Sequence, residues 1–242
     1  LNGTLTVANG GVVTHTANTT NEVNRIDMTV FGDLDIQAGG IIQADGKGYQ
    51  EGYGPGRARL VASASGAAHG GMGGVETAGT LGSTYGSITA PTNCGSGGND
   101  AYGSAGARGG GLVRLRVTGT TTVNGVISAT GIAGEGVSYY AGGSGGSVWL
   151  TAAALKGNGV IRANGGNMTA AKAGGGGRIA VILTNSTDFG EVLMQAYSGK
   201  GWGAAGYGAP GTVYRESVAD GPGNGLLLID ASNLVSTSTV LI

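Results

Sequence analysis

Short runs of alternating apolar and polar residues fill this chain, and glycines separate them. Residues 112–117 (Leu-Val-Arg-Leu-Arg-Val), 147–152 (Ser-Val-Trp-Leu-Thr-Ala) and 178–183 (Arg-Ile-Ala-Val-Ile-Leu) have this character, as does Ile-Asp-Met-Thr-Val at 26–30. A period of two sends successive side chains to opposite faces, so each run predicts a β-strand with one buried face. In the first 46 residues the pattern predicts strands at 4–7, 12–14, 26–31, 34–36 and 41–44. Asn9-Gly10-Gly11, Phe31-Gly32-Asp33 and Ala38-Gly39-Gly40 mark the bends between them. No amphipathic helix is predicted; Thr-Ala-Ala-Ala-Leu-Lys at 151–156 is too short and falls at a corner of the repeat.

One phrase recurs: a strand, a glycine, a second strand ending in alanine, then a glycine-rich excursion. It reads Val-Asn-Gly-Val-Ile-Ser-Ala-Thr-Gly at 123–131, Lys-Gly-Asn-Gly-Val-Ile-Arg-Ala-Asn-Gly at 156–165, and more loosely Phe-Gly-Glu-Val-Leu-Met-Gln-Ala-Tyr-Ser-Gly at 189–199. Ala129 and Ala163 are 34 residues apart, and Ala163 and Ala196 are 33. Two earlier copies occupy 5–15 and 34–46, with Gly11 and Gly40 29 residues apart. A period of this size is the mark of a stacked repeat architecture. Ala44 to Ala129 spans 85 residues, so an insertion separates the early copies from the late ones. It runs over 46–111 and is mostly Gly, Ala, Ser and Thr, with one apolar run at 58–64 that suits a strand. An unstructured loop of this length is improbable in a compact domain. Ordered extended or polyproline-II-like segments, packed by their glycines, are expected instead. Three regular units at 112–215 end in excursions at 131–146, 165–177 and 199–211, expected to stack into one glycine-rich face. Strand-like segments at 226–229 and 234–242 close the chain.

Composition narrows the reading. Of 242 residues 54 are glycine, about three times ordinary usage. No Gly-X-Y period and only four prolines exclude collagen. At 40% apolar the chain carries enough hydrophobic content to fold. Only 11% of residues are charged and the net charge is −1. Such a balance lacks the basic stripe that nucleic acid requires. No apolar run reaches transmembrane length. Cys94, the single cysteine, is expected as a free thiol in a loop. The start at Leu1 fits either a processed leader or a piece of something longer.

These features predict one all-β domain over 1–242: a right-handed parallel β-helix, or solenoid, with stacked glycine-rich excursions and the long insertion. The phrases Gly-Val-Ile-Ser-Ala-Thr-Gly and Gly-Val-Ile-Arg-Ala-Asn-Gly, with Gly-Gly-Ser-Gly-Gly-Ser-Val-Trp-Leu (142–150) and Gly-Gly-Gly-Gly-Arg-Ile-Ala-Val (174–181), resemble the glycine-rich β-helix modules of large bacterial exported, adhesin-like surface proteins. The resemblance covers most of 112–215 and 26–46. It is one of repeat style, and it implies export, an extracellular or cell-surface location and an adhesive or structural role.

Candidate chemistry is sparse. Asp33 and Asp35 share a strand face, as do Arg57 and Arg59, and Arg114 and Arg116. Such pairs serve a glycosidase or a lyase only with partners nearby, and otherwise read as solvated strand faces. His15 and His69 lack companions at metal-ligand spacing. Asp45-Gly46 offers at most a weak calcium signal. The glycine runs lack the Lys-Ser/Thr of a phosphate loop. Sequons stand at Asn2, Asn18, Asn167 and Asn185. The expectation is a non-enzyme without cofactor or metal: a filament or surface-layer subunit, adhesive by extension. Its partners would be copies of itself, or flanking repeats, joined through end strands carrying Leu5, Val7, Leu234, Val240, Leu241 and Ile242. The alternative is a protein that binds or cleaves cell-surface polysaccharide, with Arg57, Arg59, Tyr139, Tyr140, Trp202 and Tyr207 as candidate carbohydrate contacts. Tyr197 sits beside the same excursions. Ice binding is disfavoured because no Thr-x-Thr ladder recurs from copy to copy.

Overall fold

The alternating runs form strands that lie side by side at repeat-equivalent positions. A computed structural model describes residues 1–58, 65–75, 82–99, 106–133, 141–169 and 171–232. A four-stranded sheet joins β1 (Leu5–Val7), β4 (Leu34–Ile36), β7 (Thr120–Val123) and β10 (Ala154–Lys156) in that order. A five-stranded sheet runs β2 (Val12–Val13), β5 (Ile41–Gln43), β8 (Val126–Ser128), β11 (Val160–Arg162), β13 (Leu193–Gln195). A six-stranded sheet runs β3 (Ile26–Val30), β6 (Leu112–Val117), β9 (Ser147–Ala152), β12 (Arg178–Leu183), β14 (Thr212–Glu216), β15 (Leu226–Leu228). Every pairing is parallel except β14 with β15, which is antiparallel.

Register explains why the phrase repeats. Ile42, Ile127, Ile161 and Met194 are neighbours across the five-stranded sheet. Val113, Val148, Ile179 and Val213 form a second column in the six-stranded sheet. The aliphatic side chains of these columns are buried and belong to one continuous core with Leu34, Ile36 and Leu155. Burying such a side chain contributes about 1.5–3 kcal/mol, so each copy adds a like increment to the same core.

The expected single right-handed parallel β-helix is not what the chain forms. The strands divide into three separate sheets of four, five and six members, the last closed by an antiparallel strand. A large share of the chain belongs to no sheet. The segments at 46–58, 65–75, 82–99 and 106–111 contain no strand, yet 65–75, 94–99 and 107–111 are mostly buried. The physical reason is glycine, which offers a strand no side chain to pack. Two local expectations also change. Ala154–Lys156 is strand β10 rather than a corner, and a 3-10 turn at Ala204–Gly206 lies in the third excursion. Of the run expected as a strand at 58–64, only Ala58 is described, outside any strand.

The glycine-rich excursions do stack, but they do not make an outer face. The 165–177 excursion bonds to the first excursion through Gly145 N to Gly175 O at 2.9 Å, and to the third through Gly176 N to Ala209 O at 2.9 Å. The insertion then lies over them: Gly71 N donates to Gly176 O, Gly175 N to Ala67 O, and Ala209 N to Met72 O, at 2.9, 2.9 and 2.7 Å. The result is a buried layer held by backbone hydrogen bonds between segments. One column shows why the residue must be glycine. Gly111, Gly146, Gly177 and Gly211 precede β6, β9, β12 and β14. A Cβ on Gly146, Gly177 or Gly211 would fall on the carbonyl oxygen of the glycine before it in the column. Nothing larger than hydrogen fits between these segments.

Polar side chains pin the layer to the six-stranded sheet. His69 is fully buried, its Nδ1 donating to Gly145 O at 2.8 Å and its ring centred 4.5 Å from that of Tyr85. Arg178 donates from Nε to Tyr85 O and from Nη1 to Thr212 Oγ1. Burial, reinforced by the Arg178 charge, pushes the His69 pKa down to about 3. Cys94, expected as a free thiol in a loop, is free and buried, with Asn18 Nδ2 at 3.5 Å. Burial raises its thiol pKa far above the usual range. Asn18, one of the sequon asparagines, is buried as well.

Candidate functional site

Two features of the described residues stand out: a polar cleft beside the five-stranded sheet, and the open ends of the sheets.

The cleft follows from the repeated phrase. After β5, β8, β11 and β13 the chain places a buried alanine (Ala44, Ala129, Ala163, Ala196). A side chain directed away from the core must come next, and these positions hold Asp45, Thr130, Asn164 and Tyr197. Their side chains link one copy to the next. Asp45 Oδ1 accepts from Thr130 N at 2.7 Å, and Asn164 Oδ1 accepts from Tyr197 N at 2.8 Å. Three residues further on, Asn167 Oδ1 accepts from Lys200 N at 2.8 Å. Arg162, which precedes the alanine of β11, donates from Nε to Ser128 Oγ at 3.0 Å. Its outer nitrogen stands 3.9 Å from Asp45, and 43% of its side chain is exposed. The cleft lined by Thr130, Arg162, Asn164, Asn167 and Tyr197 has a volume of about 400 Å³ and also receives Ser198 and Lys200. Ser198 Oγ is buried without a hydrogen-bond partner among the described residues. Burial, with the nearby Asp230 carboxylate, raises the Tyr197 phenol pKa.

The candidates picked out by sequence do not converge there. Arg57 is exposed and, among the described residues, its side chain donates only to Gly52 O, at 3.5 Å. Trp202 is 69% exposed, with the Lys172 ammonium 5.9 Å from its ring. Tyr207 is half-buried and already has a partner. Arg59, Tyr139 and Tyr140 lie outside the described residues. The residues that do line the cleft, Arg162, Asn164, Asn167 and Lys200, carry one sequence signal. Arg162 and Asn164 flank the phrase alanine, and Asn167 and Lys200 follow it at short, regular distances.

Acidic and cationic pairs elsewhere are committed to structure. Asp33 Oδ1 accepts from Thr120 N at 2.7 Å. Asp27 bridges Arg114 and Arg116, and Arg114 also stacks 4.5 Å from the Trp149 ring. The calcium signal at Asp45 gives way to the contacts already described. No group of three or more potential metal ligands occurs among the described residues, and no described helix is long and apolar enough to cross a membrane.

Among the described residues β1, β2 and β3 are sheet edges at the amino-terminal end, and β10, β13 and β15 at the other. Val12, Phe31 (59% exposed) and Val23 lie open at the first end, and Leu193, Leu226 (52% exposed) and Ile229 at the second. Of the residues assigned to assembly, Leu5 and Val7 point into or against the core, so β1 presents its backbone edge rather than these side chains. Leu234, Val240, Leu241 and Ile242 lie outside the described residues. Compared with protein-family models, curated proteins and solved structures, the chain matches none.

Proposed function

We propose that this chain is an extracellular structural module that joins end to end with further copies of itself, with surface adhesion as an extension of that role. The observation that carries the reading is the coincidence, among the described residues, of sheet-edge strands and exposed apolar side chains at both ends of the molecule. An unprotected edge is a template for strand pairing. Edges of the same sheets at opposite ends make the contact head-to-tail, and such a contact propagates into a filament unless the rotation closes a ring. At the second end, among the described residues, residues 184–191 run along β10, while β13 is left to receive β2 of the next copy and β15 meets β3 through its apolar side chains. The buried glycine layer suits a load-bearing role, because its hydrogen bonds are shielded from water.

Negative-stain electron microscopy of the concentrated protein tests this. Strands in a sheet stand about 4.8 Å apart, so a six-stranded stack predicts fibres with an axial repeat of roughly 25–30 Å. Val12→Lys together with Phe31→Lys should dissolve them into single particles. Dispersed particles at every concentration, from the unaltered chain, would overturn the proposal. Export is tested separately, by fractionating the source cells.

A further inference from the structure

The cleft beside the five-stranded sheet has a chemical bias that end-to-end assembly does not use. The oxygens of Asn164 and Asn167 are both consumed by backbone N–H groups, of Tyr197 and Lys200. That turns each carboxamide so that its NH2 group, without a partner among the described residues, is the end left to donate. Arg162 donates Nε to Ser128 and forms a long ion pair with Asp45 at 3.9 Å, and with 43% of its side chain exposed its outer nitrogens still face the cleft. Lys200 has no ion-pair partner among the described residues. Ser198 adds a buried hydroxyl without a partner among them. The free groups are therefore donors, two of them cationic, set along one cleft. A ligand that satisfies them must be rich in acceptors and negatively charged. The opening, about 400 Å³, is of the size that takes a small ligand or a few units of a chain. Tyr197 supplies a ring among the walls.

We infer that this cleft is a binding site for an anionic saccharide, with Arg162 and Lys200 holding the acid groups and Asn164 and Asn167 donating to ring and hydroxyl oxygens. Saccharide fits better than a lone anion because the donors are spread over two repeat units, Asn164 with Asn167 and Tyr197 with Lys200. A uronate and a sulfated sugar share the required chemistry.

Calorimetric titration distinguishes them. The probes are tetra-galacturonate, a sulfated tetrasaccharide and neutral maltotetraose. One of the two acidic probes is expected to bind, and the tighter one names the anion. Loss of a charge-assisted bond in Lys200→Gln or Arg162→Gln should weaken it about tenfold. Lys200→Gln leaves every described side-chain contact in place, so its melting temperature should match that of the unaltered chain, and Trp202→Ala should bind normally. Failure of both acidic probes, equal binding of maltotetraose, or affinity unchanged in both cleft variants would overturn the inference. None of these outcomes depends on whether fibres form.

Discussion

The sheet core and the glycine layer are both buried, and they are built on opposite principles. In the sheets, aliphatic side chains fill the interior, and columns such as Ile42, Ile127 and Ile161 repeat one residue type at one position. In the layer there are almost no side chains to bury. Segments approach until backbone meets backbone, and hydrogen bonds such as Gly145 N to Gly175 O and Gly71 N to Gly176 O hold them. A side-chain core tolerates exchange among similar volumes. A backbone core tolerates none, because the smallest addition already lands on a carbonyl oxygen.

That contrast can be broken or sharpened by substitution. The largest effect is expected from Gly177→Ala, whose new methyl would strike Gly146 O within the glycine column. Backbone on both sides leaves no room to relax, so a loss above about 4 kcal/mol is expected, read as a collapsed urea midpoint or absence of folded protein. Acid should come next. Unfolded His69 takes up a proton near pH 6.5, whereas the folded residue does so only near 3. Its contribution is therefore intact above pH 6.5 and is lost as the pH falls toward 3, at up to about 1.4 kcal/mol per pH unit. Urea titrations between pH 7 and 4 should show this slope, and His69→Asn should flatten it.

Smaller effects separate the two uses of glycine. Gly10 has a φ of +77°, and a methyl placed on its Cα would meet no described atom within 4 Å. Gly10→Ala should cost about 1–2 kcal/mol, from backbone strain alone. Ile161→Val, in the side-chain core, should cost about 0.5–1.5 kcal/mol. Thermal melts of the pair, set beside Gly177→Ala, would place the glycine layer well outside the range of either.

The same contrast explains what was legible in the sequence. Side chains write a pattern, so the strands at 26–30, 34–36, 112–117, 147–152 and 178–183 and the repeated phrase could be read directly, and their neighbours in the sheets are the matching positions of the next copy. Glycine writes none. Nothing in a run of Gly, Ala and Ser says that Gly71 will meet Gly176, so the insertion at 46–111 read as an addition to the repeats when it supplies a large part of the buried layer. For the same reason a uniform coil was expected where three sheets and a glycine layer exist. The cleft was half legible. The phrase alanines mark where the chain leaves the core, but the aromatics of the excursions point to Trp202, whereas the donors converge at Arg162, Asn164, Asn167 and Lys200.

Amide hydrogen exchange followed by NMR tests the central claim most directly. If the glycine layer is a second core, the amides of Gly71, Gly110, Gly145, Gly175 and Gly177 should exchange as slowly as those of Ile127 and Ile161, with both groups opening only on global unfolding. Exchange of the glycine amides at the rates of open loops, while the isoleucines stay protected, would contradict it.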